Sequence, residues 1–265
     1  MPKADLGDIE LHYNSFGSGP PVLGIMGFGL DSRYWAAQVP AVAERNRFIV
    51  FDNRGSGRSS RINATSIDEM ANDAVRLLDY LEIEKAVIFG ASMGGAIAQR
   101  LVLDHPERVS AAVFAITFAR PIEYMRRQTE VARRVIERGG VDEFIEATLL
   151  FMFSPRFFEM GAEAVDQMMR AFDAPGGPEP MDAEGLYGQI DAIVKHDTLE
   201  DLHKIKVPVL VVGGKNDMMV PGFASEEIAA AIPQAELKMF DSGHGLMFEC
   251  LEEFNTTLRT FLDTL

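Results

Sequence analysis

Cysteine is nearly absent from this 265-residue chain: Cys250 stands alone, which excludes an internal disulfide and leaves a reducing compartment open. Positive charge is scarce as well. Twenty-five Lys and Arg face 40 Asp and Glu, a formal net charge of −15. That acidic excess argues against nucleic acid and anionic membrane surfaces as partners, and it disfavours highly anionic substrates. No apolar run is long enough to span a bilayer, and the opening residues carry no signal-peptide core, so a cytoplasmic location is expected. Repeats and low-complexity tracts are missing too. What remains, 47% hydrophobic and 25% charged, has the composition of a globular protein of one large α/β domain or two small ones.

The chain alternates between strand and helix patterns at both ends. Ile9–Phe16 alternates apolar with polar and predicts a half-exposed antiparallel strand, with His12 on its outer face. Val22–Met26, Phe48–Phe51, Val109–Ile116 and Val207–Val212 read as buried strands, and Glu236–Phe240 as another. Helices are predicted over Ile67–Leu81, near Glu226–Ala231 and over Glu249–Leu262. From Pro121 to about Leu199 no strand pattern occurs. Helical stretches are expected there at Glu123–Arg138, Val141–Phe153, Arg156–Phe172 and Asp182–Lys195, broken at Gly139-Gly140, Ser154-Pro155 and Ala174–Pro178. The expected division is therefore a core of residues 1–120 and 200–265, with residues 121–199 as an all-helical lid. Its many Met and Phe side chains (among them Phe144, Phe151, Phe153, Phe157, Phe158, Met160, Met168, Met169 and Phe172) exceed what a small helical unit needs for its own core. Some are expected to line an apolar pocket and to set substrate choice, while contributing little to the chemical step.

The most informative stretch is Ala86–Gly95. A short apolar strand, Ala86–Phe89, runs into Gly90-Ala91-Ser92-Met93-Gly94 and then straight into helix formers that stop at His105-Pro106. A strand turning so sharply into a helix strains the residue at its apex, and side chains at Gly90 and Gly94 would collide. The strain pushes the Ser92 hydroxyl out above the sheet, where it can attack a carbonyl.

A serine hydroxyl needs a base. Of five histidines, His244 alone follows a late strand in a loop with glycines on both sides. The base needs a carboxylate to fix its tautomer. Asp217 sits in the loop after Val209–Val212, whereas Asp241 is too close in sequence to His244, and the loop after Val109–Ile116 offers only Thr117, Phe118, Ala119 and Arg120.

These residues carry a resemblance to the α/β-hydrolase fold family over essentially the whole length. They are Gly90–Gly95, the loop Asp52-Asn53-Arg54-Gly55-Ser56-Gly57-Arg58-Ser59, Asp217 with Val220-Pro221, and Gly243-His244-Gly245. The elbow and the order Ser, Asp, His are this family's own pattern. The resemblance implies a mostly parallel, doubly wound sheet with a helical cap insert, and a Ser92–Asp217–His244 triad. It also implies an oxyanion hole from the amides of Phe28 and Met93, with Phe28, Met93 and Val220 near the substrate. More narrowly the chain looks like the single-domain esterases, enol-lactonases and carbon–carbon bond hydrolases with a helical cap, which implies a small-molecule substrate with no cofactor and no metal. A peroxide-using variant and a low-turnover ligand-binding module share the same residues and stay open. One departure stands out: the family usually has His-Gly before its oxyanion residue, and here that pair is Met26-Gly27. A loop-ordering hydrogen bond is lost with the histidine.

Overall fold

A computed structural model describes residues 2–64, 66–159, 163 and 182–265. Eight strands form one sheet: β1 (Lys3–Asp5), β2 (Glu10–Phe16), β3 (Pro21–Ile25), β4 (Arg47–Phe51), β5 (Ala86–Ala91), β6 (Val109–Ala115), β7 (Val209–Gly214) and β8 (Ala235–Phe240). Their order is β1-β2-β4-β3-β5-β6-β7-β8. From β4 to β8 all neighbours are parallel, while β2 runs antiparallel to β4, and β1 to β2.

The central strands are apolar throughout because both faces are covered. Leu23, Ile49, Phe51, Ile88, Phe114 and Val211 point to one face, against Leu77 and Leu78 of helix Ile67–Tyr80, Ile97 and Leu101 of helix Met93–Asp104, and Ile228 of helix Phe223–Ala231. Val22, Phe48, Val50, Phe89, Val113 and Val212 point to the other, against Trp35, Val42 and the stripe Phe254, Leu258, Phe261 of helix Leu251–Leu262. The fold is thus a doubly wound, mostly parallel α/β sheet. Helix Ile67–Tyr80 starts where Ser66 accepts the Glu69 amide at 3.1 Å, an N-cap readable in Ser66-Ile-Asp-Glu69.

The structure differs from the sequence expectations in a few places. β1 has only three residues, too short for any periodicity to register. His12 is buried, not exposed: the loop after β4 folds over that face of β2, with His12 N–H donating to Ser59 Oγ at 2.9 Å. Its ring nitrogen Nδ1 lies 3.3 Å from Asp52, and burial holds the imidazole below its ordinary value. The last helix breaks at Cys250, leaving a short turn Leu246–Glu249 before Leu251–Leu262.

Among the described residues between β6 and β7 there is no strand. A first insert helix spans Glu123–Met152, interrupted at Gly140, whose φ of 86° and ψ of −177° only glycine takes comfortably. A second insert helix spans Ala183–Lys195, capped by Asp182 through the Gly185 amide at 2.7 Å. Of the stretch Arg156–Phe172, residues 156–159 and 163 are described and helical. Met160, Met168, Met169, Phe172 and the Ala174–Pro178 break lie outside the described residues.

Candidate active site

β5 ends at Ala91 and the next helix begins at Met93, so Ser92 alone makes the turn. Its φ of 55° and ψ of −123° put it in the left-handed half of backbone space, a conformation that costs a non-glycine residue roughly 1–3 kcal/mol. Its neighbours hold it there. Ser92 N–H donates to Ala115 O at 2.9 Å, and its carbonyl accepts from Gly95 N–H at 2.8 Å and from Thr117 Oγ1 at 2.6 Å. A Cβ on Gly90 would run into the Gly94 carbonyl, and one on Gly94 into the Ile25 carbonyl. The turn closes only with glycine at both places.

The loops after β7 and β8 meet above this serine. His244 Nε2 lies 3.0 Å from Ser92 Oγ, and His244 Nδ1 lies 2.7 Å from Asp217 Oδ2. The other carboxylate oxygen, Oδ1, accepts the Met219 and Val220 amides, each at 2.8 Å. Asp217 and His244 are buried, at 6% and 7% exposure, while Ser92 is partly open. Buried and held by two amides, the carboxylate keeps Nδ1 as the donor. Nε2 is then the free acceptor that faces the hydroxyl, the arrangement that takes a proton from serine.

The loop after β3 lies against the serine from the other side. A Cβ on Gly27 would sit 2.9 Å from Ser92 Cβ, so only glycine lets this backbone approach. Phe28 follows directly. Met93 N–H, at the first position of its helix, has no carbonyl within that helix to donate to, and the helix dipole favours negative charge there. The Asp52–Ser59 loop supports this wall from behind. Asn53 Nδ2 donates to Met26 O at 2.9 Å, and Asp52 accepts Ser32 N–H at 2.7 Å. Arg54 makes a buried, two-pronged ion pair with Asp73, one prong being 2.7 Å long.

Two largely apolar cavities, of about 310 and 380 Å³, flank the serine. Ser92, His244, Phe28, Phe144, Thr148 and Met219 border both. Tyr34, Ile145, Leu149 and Met247 line only the first, and Met93, Phe118, Ala147 and Val220 only the second. Phe151 lines the second cavity, but Phe153, Phe157 and Phe158 line neither. Phe153 instead lies buried beneath the His244 loop, stacked on Phe157 at 4.8 Å between ring centres. Among the described residues no group of three or more His, Cys, Asp or Glu side chains is arranged to hold a metal ion, and no helix is long and apolar enough to cross a membrane.

Four residues of this region receive no role from the sequence pattern. Thr117 ties down the elbow, and Asn53 holds the Phe28 loop. Glu249 accepts the Gly243 amide at 2.9 Å and the Ser154 amide at 3.1 Å, and Gln189 accepts the Gly29 amide at 2.9 Å. Only Asn53, inside the charged Asp52–Ser59 loop, stands near a recognisable motif.

A family model described as the alpha/beta hydrolase fold matches residues 20–250. RutD of Azorhizobium caulinodans, named as a proposed carbamate hydrolase, is 33% identical over 98% of either chain. Among solved structures, an enol-lactonase from Burkholderia xenovorans superposes with a TM-score of 0.88 at 27% identity, covering 99% of this chain and 100% of that one. A thermophilic esterase from Thermogutta terrifontis gives 0.85 at 28% identity, covering 97% and 94%.

Proposed function

The chain belongs to the α/β-hydrolase fold family, and from that membership we propose a serine hydrolase that cleaves small, mostly neutral carboxylic esters or lactones through an acyl-enzyme on Ser92. The observation that carries this reading is the unbroken relay of 3.0 Å from Ser92 Oγ to His244 Nε2 and 2.7 Å from His244 Nδ1 to Asp217. As Ser92 Oγ bonds to the carbonyl carbon, its proton passes to His244 Nε2, and the buried Asp217 carboxylate stabilises the imidazolium. The carbonyl oxygen becomes an oxyanion, to which the Phe28 and Met93 amides donate. Collapse breaks the bond to the alcohol oxygen, which takes the proton from Nε2. Water then repeats the sequence with His244 as base and frees the acid and Ser92. In a lactone the alcohol stays tethered to the acyl group.

The walls support this substrate class. Two apolar cavities that both reach Ser92 favour a substrate with apolar groups next to the scissile bond. Asp142 and Glu146 stand at the first cavity, and among the described lining residues the only lysine or arginine is Arg127, at the second. With a net charge of −15, that lining favours neutral substrates over carboxylate-bearing ones. The RutD-like relatives favour a second reading, hydrolysis of a carbamate. Its neutral esters suit these walls better than the free anion.

The test is a fluorophosphonate probe with a substrate panel of p-nitrophenyl esters of rising chain length, small lactones and a neutral aryl carbamate. Wild type should be labelled and Ser92→Ala should not. Equal labelling, or undiminished hydrolysis by Ser92→Ala, would overturn the proposal.

A further inference from the structure

The loop that carries Phe28 has Met26 where its family usually has histidine, yet it does not lack an anchor. That anchor comes from 160 residues away. Gln189 is fully buried on the second insert helix, and its Oε1 accepts the Gly29 amide at 2.9 Å. Its Nε2 donates to Ser56 Oγ at 3.2 Å, in the loop that also holds Met26 through Asn53. One helical turn earlier, Leu186 touches the same glycine: a Cβ on Gly29 would lie 3.2 Å from Leu186 Cδ2. Gly29 itself has a φ of 71°, which favours glycine, and as glycine it has no side chain with which to fix its own place. Phe28 is gripped by the same helices. Its ring packs edge-on to Phe144 at 5.9 Å, within a small core of Ile136, Leu186 and Ile190.

We infer that Gln189 is a positioning residue for the oxyanion hole, and that the insert therefore takes part in the chemical step as well as in substrate choice. The amide of Phe28 precedes the residue that Gln189 holds. Its own peptide, Gly27–Phe28, lies between the Met26–Gly27 peptide that Asn53 holds and the Phe28–Gly29 peptide that Gln189 holds, with the Phe28 ring against Phe144, so its direction is set through its neighbours on both sides. A buried amide bonded at both ends by neutral partners has one orientation, and it passes that orientation to the loop. Without it, Gly29 returns to the wide backbone freedom of glycine, and the Phe28 N–H loses its aim at the oxyanion. This inference rests on the reading of Ser92 as nucleophile.

The test is Gln189→Met, which keeps length and apolar packing but can hold neither bond. On a p-nitrophenyl ester kcat should fall about 10- to 100-fold, less than or equal to the loss of a whole oxyanion donor, with KM within about twofold. Inhibition by a boronic acid should weaken in proportion to kcat/KM, because its tetrahedral serine adduct places an oxygen where the oxyanion forms. The pH profile of kcat should not move. A residue that merely kept the insert folded would raise KM and change the chain-length profile instead. Ser56→Ala, which frees one end of the Gln189 amide, should show the same pattern at about 3- to 10-fold, and it serves if Gln189→Met does not fold. The inference is overturned if folded Gln189→Met keeps wild-type kcat and boronate affinity, or, failing that variant, if Ser56→Ala does. Ser92→Ala run alongside separates the two levels. If it is inactive while Gln189→Met is unimpaired, only the role of Gln189 fails; if it is active, the nucleophile assignment fails first.

Discussion

Removing the Glu249 side chain should disconnect the base loop from the insert. Its Oε1 accepts the Gly243 amide at 2.9 Å and the Ser154 amide at 3.1 Å, and Oε2 accepts the Ser154 hydroxyl. On the far side of His244, Gly245 N–H donates to Met152 O at 2.6 Å. The histidine loop is thus bolted to residues 152–154 on both flanks. Glu249→Ala removes three bonds to a half-buried carboxylate, each contributing about 1 kcal/mol net once water takes up part of the loss, or roughly 2–3 kcal/mol together. For a chain of this size that corresponds to a fall in Tm of about 4–12 °C. The Gly245 bond survives, so His244 should be displaced rather than freed, and the rate of fluorophosphonate inactivation should fall about tenfold. Glu249→Gln keeps one oxygen for the two amides, and the Ser154 hydroxyl can turn to accept from its NH2 group. It should stay within about 1.5 kcal/mol and threefold in rate. Thermal unfolding and the second-order inactivation rate of both variants give the answer. A Glu249→Ala protein as stable and reactive as wild type, or a Glu249→Gln protein as impaired as Glu249→Ala, would refute the reasoning.

His196, buried against Phe118, has its pKa lowered to about 4, chiefly by burial and further by Arg100. Since the unfolded chain binds that proton near pH 6.5, its contribution is complete above that pH and is lost as pH falls toward 4, about 3 kcal/mol in all. Denaturant unfolding across that window should show a shallower acid loss for His196→Gln than for wild type; parallel slopes would contradict it. The two cavities should respond separately to filling. Ile145→Phe in one and Ala147→Phe in the other should each penalise extension on one side of the scissile bond only, shifting kcat/KM ratios along an acyl series in one case and an alcohol series in the other. Identical profiles for both variants would show that the cavities do not divide the substrate.

What was legible in the sequence is local. The strand, the two glycines and the helix start around Ser92 sit within ten residues, and each is required by the turn itself. The loops that carry Asp217 and His244 follow recognisable strands, so their place at one sheet edge follows from the alternation of strand and helix. The contacts that aim these groups are not local. Gln189 lies on an amphipathic helix where a buried glutamine looks like any polar residue, and its partners are Gly29 and Ser56. Glu249 reads as one more acid before a helix rich in them, yet it spans 95 residues to Ser154. Periodicity also assigned His12 to the outer face of β2, since nothing in that strand reveals that the Asp52–Ser59 loop covers it. Phe153, Phe157 and Phe158 share the composition of pocket-lining residues, and only packing separates them from Phe144.

The central claim is a covalent intermediate on Ser92, and it can be weighed directly. Wild-type protein is mixed with excess p-nitrophenyl ester, quenched in acid within the first turnovers, digested and measured by mass spectrometry. A burst of p-nitrophenol stoichiometric with protein, and one acyl mass increment on the peptide carrying Ser92, is the predicted result. Steady turnover with no burst and no adduct, together with hydrolysis that survives in Ser92→Ala, would contradict it.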